Sequence, residues 1–267
     1  MRVLNLDLDF FLNERAHGRK DDPNSRPDNW GLVPWKADAV VEFIENALNL
    51  RTKVPGAVVV SHHEVFYHWR DLIERGALNT PFFACHVDAH SDLGCGTPAW
   101  VYLHSDFLEL SLAARRYPME GDEGLNFANF MAFAIGNRWF SAIDFVVPSF
   151  WRNDFPIPMF PSSEVLKPNR ELQIELLHAP REQIEACVSE GRRRVTSILK
   201  SRNEPKIPLH LLAHDSVRGR YDGQNWDYVF LSHSPGYVPT AADALLPVIS
   251  AYIDSKSMAP APSEMHL

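Results

Sequence analysis

Three apolar segments of strand length in this chain run into side chains that a folded protein buries only with a partner. Residues 4–11 read Leu-Asn-Leu-Asp-Leu-Asp-Phe-Phe, Ala57–Ser61 leads into His62 and His63, and Phe82–Asp88 continues through Ala89, His90, Ser91 and Asp92. A strand projects residues i and i+2 to one face. Asp7 and Asp9 therefore point together, as do Asp88, His90 and Asp92 where the chain stays extended. Burying that many unpaired carboxylates would cost on the order of several kcal/mol each. Divalent cations remove the cost most simply, and four carboxylates balance two ions better than one. The pattern predicts a binuclear metal site.

Elements alternate around these motifs. Strands are expected near 2–9, 57–61, 82–88, 143–147, 207–213 and 227–232. Apolar spacing predicts helices near 36–49, through Val40, Ile44, Ala47 and Leu48, and near 63–76, through Val65, Trp69, Leu72 and Ile73. Further helices are expected near 125–135, after Pro180 (Ile184, Val188, Gly191, Val195, Ile198) and after Pro239, the last kinked at Pro247. Strands alternating with helices define an α/β fold: a mainly parallel sheet covered on both faces, three layers α-β-α. With no linker or repeat, residues 1–255 read as a single catalytic domain and 256–267 as a flexible tail.

Composition narrows the function. The 267 residues are 45% hydrophobic, enough for a sizeable core, and the net charge of -8 argues against a broad nucleic-acid surface. Asp7 and Asp9 inside the first apolar run argue against a signal peptide or membrane span. Three cysteines without a CxxC pair suit a reducing cytoplasm.

Open parallel sheets bind ligands beyond the carboxyl ends of their strands, and three successive strand ends here carry metal-ligand side chains. Carboxylates with some imidazole suit Mn²⁺ or Fe²⁺ better than a structural Zn²⁺. Two ions roughly 3.5–4 Å apart can share a water and lower its pKa.

His-Val-Asp-Ala-His-Ser-Asp (86–92) resembles the Asp-Ala-His-x-Asp signature of the arginase and agmatinase (ureohydrolase) superfamily, and Leu-Asp-Leu-Asp resembles its Asp-x-Asp motif. Val-Val-Val-Ser-His-His-Glu is similar to the strand that ends in that superfamily's first histidine ligand. The Asp-x-Asp pair comes first here and late in ureohydrolases. That order resembles a smaller arginase-related family, which includes the peptide arginases that convert arginine residues of ribosomal peptides to ornithine. The likeness extends to Asn126-Phe-Ala-Asn129-Phe before a helix.

The resemblance implies an arginase/deacetylase-like fold, two Mn²⁺ per chain and release of urea. It implies Asp88 and Asp7 as bridging ligands, His63 and Asp92 on one ion, and His90 and Asp9 on the other, with His62 competing with His63. His104 matches the proton-shuttling histidine, and Asp9 would relay a proton to the leaving amine. Asn126 and Asn129 would line the substrate channel, capping duty being the alternative. Lys36 stands where arginases place the glutamate that holds the guanidinium. The acceptor is therefore left among Asp38, Glu64, Asp21, Asp22 and Asp28.

A guanidinium stays protonated at physiological pH and is held side-on by a carboxylate. The expected activity is hydrolysis of arginine side chains in a peptide, with Trp100, Tyr102, Trp139, Phe150 and Trp151 as candidates for an aromatic groove. Alternatives are a ureohydrolase of a free guanidino compound, a more distant binuclear phosphoesterase, and a non-catalytic metal-binding interaction module. His86 reads as supporting or core, the run Asn13–Asn29 as a long loop, and Arg192-Arg193-Arg194 as a solvated face. Ser232–Tyr237 ends another strand and could reach the same edge, without a selected role.

Overall fold

The computed structural model describes residues 1–16, 26–28, 31–94, 97–156, 168–189 and 202–258. Asp21, Asp22, most of the run Asn13–Asn29, Cys95, Arg192-Arg193-Arg194 and the expected helix continuation to Ile198 lie outside them.

The strands are β1 (Arg2–Asp7), β2 (Val54–Val59), β3 (Phe82–Val87), β4 (Phe140–Val147), β5 (Arg170–Ile174), β6 (Leu177–His178), β7 (Arg202–Asn203), β8 (Ile207–Ala213), β9 (Tyr228–Ser232) and β10 (Ile253–Asp254). Eight of them form one sheet in the order β10-β2-β9-β1-β3-β4-β8-β5, and β6 and β7 form a separate ribbon. Pairing within the large sheet is parallel except for β5, which runs antiparallel on β8 at one edge. That edge strand was not expected from the sequence.

Val3, Leu4 and Leu6 of β1 are all fully buried, as a parallel sheet covered on both faces requires. On one face lie α2 (Glu64–Glu74), α3 (Thr97–Tyr102) and α4 (Phe130–Gly136), through Phe66, Trp69, Trp100 and Phe130. On the other lie α1 (Ala37–Glu42), whose last turn widens into a π-helix over Phe43–Ala47, and the final helix Leu246–Ser250, through Val40, Ile44 and Ile249. The fold is three-layered α/β, as the alternation predicted.

Local departures have local causes. The first strand stops at Asp7, where a 3₁₀ turn (Leu8–Phe11) begins. Helix α4 starts at Phe130, because Asn126 and Asn129 hold the preceding residues in turns. The Pro239 segment is a 3₁₀ helix (Thr240–Leu245) followed by the α-helix Leu246–Ser250. Pro247 sits in that helix's first turn, where its missing N–H costs nothing, and makes no mid-helix kink. A 3₁₀ turn, Ser255–Met258, runs into the stretch read as tail (256–267), and Met258 packs against the core. No helix among the described residues is long and apolar enough to cross a membrane.

The register brings strand ends level. Asp7 pairs with Ser232 of β9, Val59 of β2 pairs with the same serine, and Leu6 pairs with Val87 of β3. The segments leaving these four strands therefore emerge at one edge of the sheet.

A buried carboxylate away from that edge shows how this fold treats a structural aspartate. Asp144 of β4 is 1% exposed and accepts hydrogen bonds from Arg220 Nε (2.5 Å) and Nη2 (2.9 Å), Tyr221 Oη (2.9 Å) and His210 Nδ1 (2.7 Å). Its charge is matched by a guanidinium. Asp144→Ala is expected to lower stability by about 3 kcal/mol, at the low end for a broken buried pair because Arg220 retains some water contact. Chemical denaturation should record that loss with metal content unchanged; a loss below about 1 kcal/mol would remove Asp144 from the fold's supports.

Candidate metal centre

Two matching turns build the site. Asp7 Oδ1 accepts the backbone N–H of Asp9 at 3.0 Å, and Asp88 Oδ1 accepts that of His90 at 2.6 Å. Aspartate favours this local bond at the end of a strand. Each turn swings the residue two positions on toward its neighbour, and His90 Nδ1 lies 2.7 Å from Asp9 Oδ2. The chain thus does not stay extended past Asp88. Asp92 joins the cluster through a left-handed backbone (φ 49°), a conformation that aspartate tolerates better than most residues.

His62 is the hub. Its Nδ1 lies 3.0 Å from Asp7 Oδ2, 2.9 Å from Asp88 Oδ2 and 2.8 Å from Asp92 Oδ2. One ring nitrogen can donate a single hydrogen bond, and both Asp88 Oδ2 and Asp92 Oδ2 are buried without a hydrogen-bond partner. His86 Nε2, also unpartnered, lies 3.3 Å from Asp88 Oδ2, while its Nδ1 sits 3.1 Å from Asn5 Nδ2. Orphaned, buried, convergent donor atoms of this kind are what a divalent cation satisfies. The sets His62–His86–Asp88 and Asp9–Asp88–His90 each bring three ligand atoms within 4.8 Å of one another, and Asp88 belongs to both.

Charge within the cluster is unevenly held. Burial, then repulsion from Asp9, Asp92 and Asp7, pushes the Asp88 carboxyl well above its usual range. Burial also raises Asp92. For Asp7 burial acts upward, yet His62 and the hydrogen bonds from Asp9 and Ser234 hold its carboxyl low. For His62 burial acts downward, and the carboxylates of Asp7 and Asp92 overcome it and raise the imidazole well above its usual value. Protons and imidazoles here stand against negative charge that no lysine or arginine in the cluster offsets, unlike at Asp144.

The cluster floors a cavity of about 570 Å³. Its wall includes Val60, Phe127, Tyr237, Arg15 and Asp154 beside the ligand residues. Ser234 Oγ donates to Asp7 Oδ2 at 2.5 Å, and the Tyr237 ring lies 5.0 Å from that of His90. Burial and the nearby aspartates raise the Tyr237 phenol, which stays protonated at neutral pH.

The structure gathers Asp7, Asp9, Asp88, His90 and Asp92 as expected, and it replaces His63 with His62. The chain leaves β2 in a turn, so strand alternation no longer governs the pair. His63 Nδ1 instead meets Ser61 Oγ at 2.9 Å, and its ring packs on Tyr67. Glu64 is the cap of that same turn, accepting the N–H groups of Val60 and Ser61 at 3.2 and 3.3 Å. Asp38 is exposed in the first turn of α1, and Asp28 accepts from the backbone and hydroxyl of Thr240. None of these three carboxylates lines the cavity.

His104 does not reach the cavity either. It is 1% exposed, donates from Nδ1 to the Leu177 carbonyl and packs on Trp100 with ring centroids 4.0 Å apart. Asn129 accepts from Asn126 N–H and donates to the Gly124 carbonyl; Asn126 accepts from Ala128 N–H and donates to the Gly121 and Gly124 carbonyls. Both amides are consumed in shaping the loop that presents Phe127 and Ala128 to the cavity. The expected aromatic groove is likewise displaced: Trp100 and Trp139 are buried, Tyr102, Phe150 and Trp151 pack against the cores, and none of the five lines the main cavity.

The stretch Ser232–Tyr237, expected to reach this edge without a selected role, does so through Ser234 and Tyr237. Asp154 and Arg15 lie in connecting segments with no periodic pattern, and nothing in the sequence marks them.

No protein-family profile matches the chain, and no curated protein does. The geometry itself defines an α/β protein whose parallel sheet carries, at its carboxyl edge, a buried histidine–aspartate cluster that could hold a metal ion.

After loading with a divalent metal, His62→Ala is expected to retain much less of it than the wild type in plasma emission spectrometry, with His63→Ala keeping the wild-type content; equal losses would restore His63 as a ligand. His104 is held neutral, its pKa lowered by burial from about 6.5 to about 4. The unfolded chain binds that proton first, so stability falls as pH drops through this interval. His104→Asn should flatten that part of the pH–stability curve and leave metal content alone. A loss of bound metal would make His104 a ligand after all.

Proposed function

We propose that the protein is a Mn²⁺-dependent hydrolase related to the arginases with an N-terminal Asp-x-Asp motif, acting on the guanidinium of arginine residues in a peptide to give ornithine and urea. The observation that carries the reading is the division of Asp88 between two ligand groups. Its Oδ2 lies 2.9 Å from His62 Nδ1, and its Oδ1 lies 3.8 Å from His90 Nδ1. A carboxylate shared in this way would suit a pair of ions, which His62, Asp92, His90, Asp9, Asp88 and Asp7 would hold.

Bound Mn²⁺ ions would supply Lewis acidity, offset the four carboxylates and acidify water at the cavity floor. The chain's own residues do the rest. Asp9 Oδ2 lies at the cavity floor beside His90 and is the group to pass a proton to the leaving amine. Tyr237 Oη, kept protonated, offers a donor from the wall. Phe127, 42% exposed, packs on Tyr237 with centroids 5.9 Å apart and gives the mouth an apolar lip. A peptide backbone suits that lip, because a free amino acid would require a cation for its carboxylate. Among the described lining residues the one arginine, Arg15, is already paired with Asp154.

Metal-replete protein should bind two ions per chain, and Asp88→Ala should reduce both occupancies. A peptide with an internal arginine should lose CN₂H₂ by mass spectrometry with matching urea release. Its kcat/KM should exceed that of free L-arginine by about tenfold or more, since contacts to the rest of the peptide contribute to the transition state. Equal values would move the assignment to an ordinary ureohydrolase, and no urea from either substrate would favour a metal-binding module.

A further inference from the structure

Five carboxylates among the described residues line the main cavity: the four of the cluster, and Asp154. Asp154 stands apart in its partners. Its Oδ2 accepts the N–H of Ser91 at 3.0 Å, which anchors it to the residue between His90 and Asp92. The same oxygen accepts Arg15 Nη2 at 2.9 Å, while Oδ1 is buried without a hydrogen-bond partner. Asp154 lines the cavity, is fixed to the ligand loop and keeps a second, buried oxygen without a partner; a guanidinium substrate requires such a carboxylate beside the metal residues.

The present occupant of Asp154 is itself a guanidinium. Arg15 also donates from Nη1 to the Arg152 carbonyl at 3.1 Å, and its Nε is buried without a partner. It is therefore held by fewer bonds than its five N–H groups could make. Arg15 also lines a second cavity of about 200 Å³, whose wall includes Glu14. A displaced Arg15 side chain has space there and a carboxylate to meet.

We infer that Asp154 is the acceptor for the substrate's guanidinium and that Arg15 occupies it in the substrate's place until the two exchange. This rests on the guanidine-hydrolase reading and names the group that selects the substrate. The exchange is like for like: one guanidinium leaves the carboxylate as another arrives, so the part-buried Asp154 is never left without a cation. Asp38, Glu64 and Asp28, the accessible sequence candidates, are committed elsewhere or lie off the cavity.

Binding is read by stopped-flow anisotropy of a fluorescent peptide with one internal arginine, before turnover, against its neutral citrulline twin, on Mn²⁺-loaded protein. Asp154→Asn should weaken the arginine peptide by about tenfold or more, as for a hydrogen bond to a charged group, and erase the preference over citrulline. Arg15→Gln should tighten the arginine peptide about threefold or more, because its competitor is gone, and leave citrulline binding unchanged. Asp154→Asn alone leaves the part-buried Arg15 charge without its carboxylate and risks misfolding. The double variant Arg15→Gln/Asp154→Asn removes both charges together and should show the same lost preference. Arginine preference retained in the double variant, or weaker arginine binding in Arg15→Gln, overturns the inference while wild-type urea release still supports the hydrolase. No preference for arginine in the wild type overturns both.

Discussion

Four buried aspartates meet at one edge of the sheet with imidazoles as their nearest basic partners, and much of the surrounding architecture depends on that concentration of charge. A carboxylate in a protein interior must be neutralised, protonated or paired. Asp144 shows the ordinary solution, a guanidinium, a phenol and an imidazole around one carboxylate. The cluster lacks such a cation, and Asp88 Oδ2 and Asp92 Oδ2 are left without hydrogen bonds. Two carboxylates pushed toward protonation and two imidazoles, His62 and His90, pushed toward charge express a balance that a divalent cation would take over.

The edge can hold this cluster because its strands end level and turn in the same way. Asp7 and Asp88 each bind the N–H two residues ahead, on neighbouring parallel strands. The repeated turn delivers Asp9 and His90 to one another across the strand gap. Strand β9, on the other side of β1, adds Ser234 on Asp7 and Tyr237 on the wall. The site is thus a product of register as much as of residue type: shifting β1 by one residue against β3 would turn every ligand pair away from its partner.

Much of this was legible from the chain alone. The alternation of apolar runs with helical periodicity implied a parallel sheet, and acidic residues at successive strand ends pointed to its carboxyl edge. Spacing singled out Asp7, Asp9, Asp88, His90 and Asp92, because two-residue spacing survives both an extended strand and the aspartate turn that actually forms. The choice between His62 and His63 was not legible. Adjacent residues point in different directions, and the turn capped by Glu64 decides which one faces the cluster.

His104, Asn126 and Asn129 mark the same boundary. Each is a polar residue at a suggestive distance in sequence, and each is held off the cavity by a backbone partner that only the folded chain supplies: the Leu177 carbonyl for His104 Nδ1, whose Nε2 stays buried without a partner, and the 121–129 loop for the asparagines. Asp154 and Arg15 are the converse case, brought together at the cavity wall from distant connecting segments without any local pattern. The sequence by itself determined which residues carry ligand chemistry and on which strands they ride, since both depend on side-chain type and short-range periodicity. Tertiary structure alone decided which of them are free to act, because a polar group's availability depends on whether distant backbone has already claimed its hydrogen bonds.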